Sequence, residues 1–284
     1  MFLWDAIVDG ALDTVKLVPF LFLTYLLMEY IEHRTSDQTR AMIRRADKTG
    51  PLFGGLLGVV PQCGFSAAAA SLYAGRVITV GTLIAVFLST SDEMLPIFLS
   101  SRVDIAVIGK ILLIKAVYGM AAGFVVDFLF RWLNLRKIGM SIHGICEAEH
   151  CECEQGIFRS AVKHTLSISL YIFLISVVLT LFLEAVGTQN LESLVFNQPV
   201  IGELLAGLIG LIPNCAASVA LTTMYLDGAM SAGAMMSGLM VGAGVGILVL
   251  FRTNRKRKET LEIIGILYCS GVIGGLITGL LRLI

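Results

Sequence analysis

The chain has 284 residues, 56% of them apolar and only 15% charged, with a mean hydropathy of +0.85. Soluble chains run about 45–50% apolar and about 25% charged, so the excess excludes an ordinary water-soluble domain and points to a lipid bilayer as solvent. Lys plus Arg and Asp plus Glu balance at 21 each, which removes the electrostatic basis for a nucleic-acid partner.

The segment from Met1 to Thr14 has no basic start and no small-residue cleavage site, so no cleaved signal peptide is expected. A hydrocarbon core of about 30 Å takes about 20 helical residues to cross. The first stretch that meets this runs from Val15 to Ile31, with Lys16 at its start expected to snorkel to the headgroups. Apolar stretches then run from Leu52 to Ala74, Val77 to Leu99 and Ile105 to Phe130. A polar stretch from Arg131 to Arg159 separates these from Ala161 to Val186, Val200 to Leu226, Ala229 to Phe251 and Leu261 to Leu281. Lys163 and His164, at the start of a span, are expected at the interface. The expected organisation is a membrane repeat at 1–134, a Cys/His/Glu-rich linker at 135–160 and a second membrane repeat at 161–284.

The two halves echo each other. Gly55–Gly81 aligns without a gap on Gly207–Gly233, with nine identities in 27 positions that include Pro, Cys and Tyr. Internal symmetry of this kind marks secondary transporters. The loop after the first span carries Arg34, Arg40, Arg44, Arg45 and Lys48, whereas its counterpart from Gly187 to Pro199 has no Lys or Arg. The positive-inside rule therefore puts one loop in the cytoplasm and the other outside. Arg131, Arg136 and Lys137 place the linker inside, and Arg252 to Lys258 do the same for that loop. The halves are thus expected to be inverted, in a cytoplasmic membrane, with both termini external. The charges agree everywhere only if Leu52–Ala74 enters and returns as a re-entrant hairpin broken at Pro61, with a twin broken at Pro213. The expected fold is all-α and polytopic: two inverted repeats, each with three full spans and a Pro-broken hairpin, ten segments in total. Broken backbone at membrane depth must be buried in protein or line a wet cavity.

At the hairpin tips stand Pro61-Gln62-Cys63 and Pro213-Asn214-Cys215, each followed by a serine, Ser66 and Ser218. Proline frees backbone groups, and the leg that follows begins with a positive helix N-terminus. A thiolate is favoured there, the environment of reactive or metal-binding cysteines, and Gln62 and Asn214 add amide donors and acceptors. These six polar residues are the candidate substrate ligands. The plainer alternative, cysteine as a small residue that lets helices approach, stays open. Ser89, Ser91, Asp92 and Glu93 interrupt the next apolar stretch, and intramembrane carboxylates are normally paired and functional. Together with Lys115 they form a candidate proton or cation coupling site. Counting along the spans places Asp92 and Glu93 near the depth of Lys110, and Gly242-Ala243-Gly244 occupies the matching place in the second half. A structural ion pair or an interfacial carboxylate is the alternative.

The linker offers His143, Cys146, His150, Cys151 and Cys153, soft ligands suited to Zn(II), Cu(I) or arsenic-like species, without the spacing of a closed structural zinc site. A solvated acidic loop with reduced thiols is its plain alternative. Cys269 is expected to be buried in the last apolar run. No Walker loop, His-Glu-x-x-His or Ser/His/Asp constellation is present, so neither an ATP-driven pump nor an enzyme is expected.

The duplicated Gly-x-x-Pro-Gln/Asn-Cys core, the Ser-Thr-Ser-Asp-Glu-Met-Leu-Pro run from Ser89 to Pro96 and the His150-Cys-Glu-Cys-Glu linker resemble the ten-segment heavy-metal or arsenic exporters, the ArsP-like permeases. The resemblance covers nearly the whole chain and implies a permease that exports a metal or metalloid. The expected function is a secondary exporter of a thiophilic species by alternating access, with no cofactor beyond a coupled proton or cation. A transporter of a small organic or inorganic anion bound at the hairpin tips is the alternative, and a membrane metal sensor built on the linker a third. Small-residue faces permit a homodimer without demanding one.

Overall fold

The computed structural model describes residues 2–34, 49–60, 63–91, 94–133, 157–186, 198–254 and 256–282, and the regular structure among them is entirely helical. The first half contributes α1 (Phe2–Arg34), α2 (Gly50–Gly58), α3 (Cys63–Ala74), α4 (Val80–Ser89), α5 (Met94–Ser100) and α6 (Ile105–Trp132). The second contributes α7 (Ile157–Val186), α8 (Ile201–Gly210), α9 (Cys215–Leu226), α10 (Ala232–Val241), α11 (Val245–Thr253) and α12 (Arg257–Leu280). A shift of 152 residues, the separation of Cys63 and Cys215, carries α3 onto α9 and α4 onto α10 residue for residue, and α6 and α12 start in register.

Local chemistry sets the starts. Thr79 accepts from the Thr82 amide at 3.0 Å, Asp104 from Ala106 at 3.0 Å, Asn214 from Ala216 at 3.2 Å and Ser231 from Ala234 at 3.1 Å. Each side chain satisfies an amide that the first turn leaves without a partner.

Among the described residues, five segments are long and apolar enough to cross a membrane: Val80–Ser100, Ile105–Trp132, Ala161–Leu179, Ala232–Thr253 and Arg257–Leu280. Two of them differ from the single rods that hydropathy suggests. Val77–Leu99 is interrupted between Ser89 and Met94, and Ala229–Phe251 between Val241 and Val245, where Gly244 adopts a φ of +51°. The first interruption is polar, from Thr90 to Glu93, and the second is Gly-Ala-Gly, but both are short and flanked by apolar runs, so hydropathy averaged over a span does not register them.

The broken pairs form the centre of the molecule. All ten residues of α4 are buried, and α10 is buried from Gly233 to Val241. α4 packs on α2, α6 and α10, and α10 packs on α8 and α12. Glycines make these crossings close, at matched positions in the two halves. A Cβ on Gly58 would lie 2.6 Å from the Val86 carbonyl oxygen, and one on Gly210 would lie 2.2 Å from that of Gly238. Likewise Gly123 backs onto the Gly81 carbonyl and Gly275 onto that of Gly233.

The outer surface is apolar. On α7 the exposed residues Phe158, Val162, Leu166, Leu170, Leu174 and Val178 recur every fourth position, a stripe that winds slowly around the helix. Soluble proteins rarely leave so long an apolar stripe uncovered, and lipid is the solvent that suits it. Cys269 falls on the exposed face of α12, not in the interior, because Ile263, Leu267, Gly271 and Gly274 take the buried face. His164, by contrast, is buried and not at the interface. It stacks on Tyr25 at 5.6 Å, whereas Lys16 and Lys163 are exposed.

The halves differ in how the second helix of each short pair is packed. On α3 the face made by Gly64, Ala67 and Ser71 is buried, and Tyr25 of α1 reaches the Ser71 hydroxyl at 3.2 Å. The matched face of α9, Ala216, Val219 and Thr223, is exposed. α3 lies along α11 and against α1, whereas α9 has a much slighter contact with α5.

Candidate functional site

The second helix of each short pair begins at a cysteine, Cys63 on α3 and Cys215 on α9, and the two sulfurs lie 3.7 Å apart. Both thiols are half-buried. Around them the polar groups are directed to backbone. The Ser66 hydroxyl donates to the Cys63 carbonyl at 2.8 Å, and Ser66 is fully buried where α11 crosses at Gly246. Asn214 is buried, and its Oδ1 caps α9 through the Ala216 amide. Pro213 and Ser218 are half-buried beside the second thiol. The chain turns between Gly210 and Cys215, with the Asn214 amide donating to the Ile212 carbonyl at 2.8 Å. Pro61 and Gln62 lie outside the described residues, as do Asp92, Glu93 and the linker's His143, Cys146, His150, Cys151 and Cys153.

The Ser89–Ser91 end of α4 is a second polar centre, packed under the first half's Gly58 and Gly119. The Ser89 hydroxyl donates to the Ala85 carbonyl at 2.7 Å, that of Thr90 to Val86 at 2.7 Å and that of Ser91 to Ser89 at 3.2 Å. Lys115 is completely buried. Its ammonium donates to the Thr90 carbonyl and, at 3.0 Å, to the Leu239 carbonyl of α10. Lys115 therefore sits level with Thr90, whereas Lys110 is exposed.

Three further clusters have no counterpart in the reading of the sequence. Tyr118 donates to the Ser270 carbonyl at 2.6 Å, joining two residues 152 apart. Glu259, buried at the start of α12, receives Tyr73 and both terminal nitrogens of Arg76, one of them at 3.0 Å. This charge-assisted bond holds the Arg76 guanidinium above its ordinary pKa, against the opposing effect of burial. Arg76 itself turns through the left-handed region at φ +59°. Finally, each half sets a buried carboxylate against the equivalent glycine. Asp127 receives Thr79 Oγ1 at 2.7 Å and the Gly81 amide at 2.8 Å, and a Cβ on Gly233 would meet Glu203 Oε1 at 2.5 Å. Lone acids inside apolar stretches were the available signal for Asp127 and Glu203.

Among the described residues no group of three or more His, Cys, Asp or Glu side chains is arranged to hold a metal. A soft ion between Cys63 and Cys215 would have two protein sulfurs and open remaining positions. Comparison with known families finds one match, over residues 3–198, to the model described as "Putative, 10TM heavy-metal exporter". No curated protein and no solved structure matches the chain.

Proposed function

The chain belongs to this family of heavy-metal exporters, and from that premise we propose a secondary exporter in which Cys63 and Cys215 carry a thiophilic metal or metalloid ion across a membrane by alternating access. The carrying observation is the pair of thiols, contributed by different halves and 3.7 Å apart. With metal–sulfur bonds of about 2.3 Å, that separation subtends roughly 107° at the ion, near the tetrahedral angle that Zn(II) prefers. Two protein ligands leave the other positions to water or exchangeable groups, which suits a cargo that must be released.

In this reading Pro61 and Pro213 break two re-entrant hairpins, and Gln62, Ser66, Asn214 and Ser218 shape the chamber around the ion. Asp92 or Glu93 takes up the coupled proton or cation beside Ser89, Ser91 and Lys115. The two halves are inverted, as the asymmetry of loop charge requires, with the linker in the cytoplasm, the termini outside and the chain in the cytoplasmic membrane. The difference between the buried face of α3 and the exposed face of α9 supports alternation: one half is packed shut at its hairpin while the other is not. Arg76, Glu259 and Tyr73 close the shut side, which this orientation places in the cytoplasm. The anion alternative finds less support, because Lys115, the cation an anion would seek, is turned to two backbone carbonyls.

Uptake by inverted vesicles tests the proposal, measured across arsenite, organoarsenicals, manganese, zinc and organic anions with and without a pH gradient. Cys63→Ser and Cys215→Ser are each expected to lower uptake of a thiophilic species at least tenfold. Undiminished uptake in both would remove the thiols from the mechanism.

A further inference from the structure

A helix that stops inside a protein leaves its last four carbonyls without intrahelical partners, and these ends carry partial negative charge. Two such ends, those of α4 and α10, meet within the reach of one side chain. The hydroxyls of Ser89, Thr90 and Ser91 satisfy carbonyls of their own helix end, and the Gly242 amide returns to Gly238. The Thr90 and Leu239 carbonyls, from opposite halves of the molecule, both receive the Lys115 ammonium. Lys115 is 0% exposed, and its counterpart in the second half, 152 residues on, is the equally buried Leu267. A single cation thus serves both interruptions.

In secondary transporters, unwound carbonyls and half-helix C-terminal ends are what a free coupling cation binds. We propose that the Thr90 and Leu239 carbonyls form a monovalent-cation seat that this chain fills with its own Lys115 ammonium, so that the two broken helices are held together without sodium or potassium. A free ammonium or alkali ion is the ligand class the seat would take once the side chain is removed. The four-carbon stem matters as much as the charge, because it delivers the ammonium through apolar packing from α6 and prevents it from leaving. The transport arm of the test below rests on the exporter reading, whereas the unfolding arm does not.

The full-length chain, purified in detergent, is compared with Lys115→Ala by thermal unfolding in chloride salts of equal ionic strength. The variant is expected to melt well below the parent in N-methylglucamine, an ion too large for the vacated space, and methylammonium is expected to recover at least half of that loss. The parent is expected to melt at the same temperature in sodium, potassium and N-methylglucamine. In inverted vesicles Zn(II) uptake should be indifferent to these ions for the parent and at least tenfold lower for Lys115→Ala, with methylammonium restoring it. An unchanged melting temperature, or equal rescue by both organic cations, would overturn the proposal. Should the alanine variant not fold, Lys115→Met, which keeps the stem and loses only the charge, decides: uptake at the parent level overturns the seat, and a tenfold loss that Lys115→Arg avoids upholds it. A parent that carries no Zn(II) at all would count against that cargo and leave the unfolding arm to decide the seat.

Discussion

Arg76 and Glu259 form the most exacting polar contact among the described residues. The acid is buried at 6% exposure, and the guanidinium that neutralises it is partly open to solvent. Removing one partner of a buried pair costs about 3–5 kcal/mol because the other charge is left stranded. With one side solvated, Arg76→Ala is expected to cost roughly 2 kcal/mol, between the buried and surface limits. Glu259→Gln, which keeps acceptor and shape, should cost less, and a smaller loss for the arginine change in chemical unfolding would contradict this account. A guanidinium whose pKa is raised above its ordinary value contributes stability that is fully present below that ordinary value and is lost only as pH rises through the folded one, so alkali within the usual range leaves its side of the pair intact. This cluster was illegible in the sequence. Its members are 183 positions apart, and repetition offers no help because Gly228 and Val107 stand at the matching places. The thiols were legible for the opposite reason: Pro and Cys recur together at both breaks, where packing alone calls for neither.

Helices approach most closely where matched glycines face backbone. Gly58 and Gly210 leave no room for a side chain beside the carbonyls of Val86 and Gly238, and such crossings replace the hydrophobic drive that lipid cannot supply. Gly210→Val should push α8 from α10 and cost about 1–3 kcal/mol by overpacking. Gly265, with open space around it, is the control, and Gly265→Val should leave stability unchanged or raise it by the small helix-propensity difference between those residues. Equal losses at the two positions would refute the close-approach argument. The short pairs α2–α3 and α8–α9 could be read in advance, because proline and the sign of loop charge both demand an interruption. The helix breaks at α4–α5 and α10–α11 could not, since hydropathy averaged over a window carries a span across the polar Ser-Thr-Ser-Asp-Glu insert and across Gly-Ala-Gly. Cys269 failed for a related reason: an apolar run does not say which of its faces meets lipid.

Over the whole molecule, the unequal treatment of α3 and α9 makes a prediction that no single contact makes. Ala67→Phe would force a ring into a closed interface, at about 1–3 kcal/mol. Val219→Phe sits on the open face and should stay within about 0.5 kcal/mol of the parent, yet transport should fall if that face must close in the other half of the cycle. Transport at the parent rate by the Val219 variant would sink the alternation. The proposed inversion has a geometric corollary. If one half is turned onto the other about a line, residues that touch their own counterparts lie close to it, as Cys63 with Cys215 and Tyr118 with Ser270 would. Points on such a line stay put while everything around them trades places. The two sulfurs would then be the stillest atoms of the cycle, and the ion would cross by having the exit brought round to it.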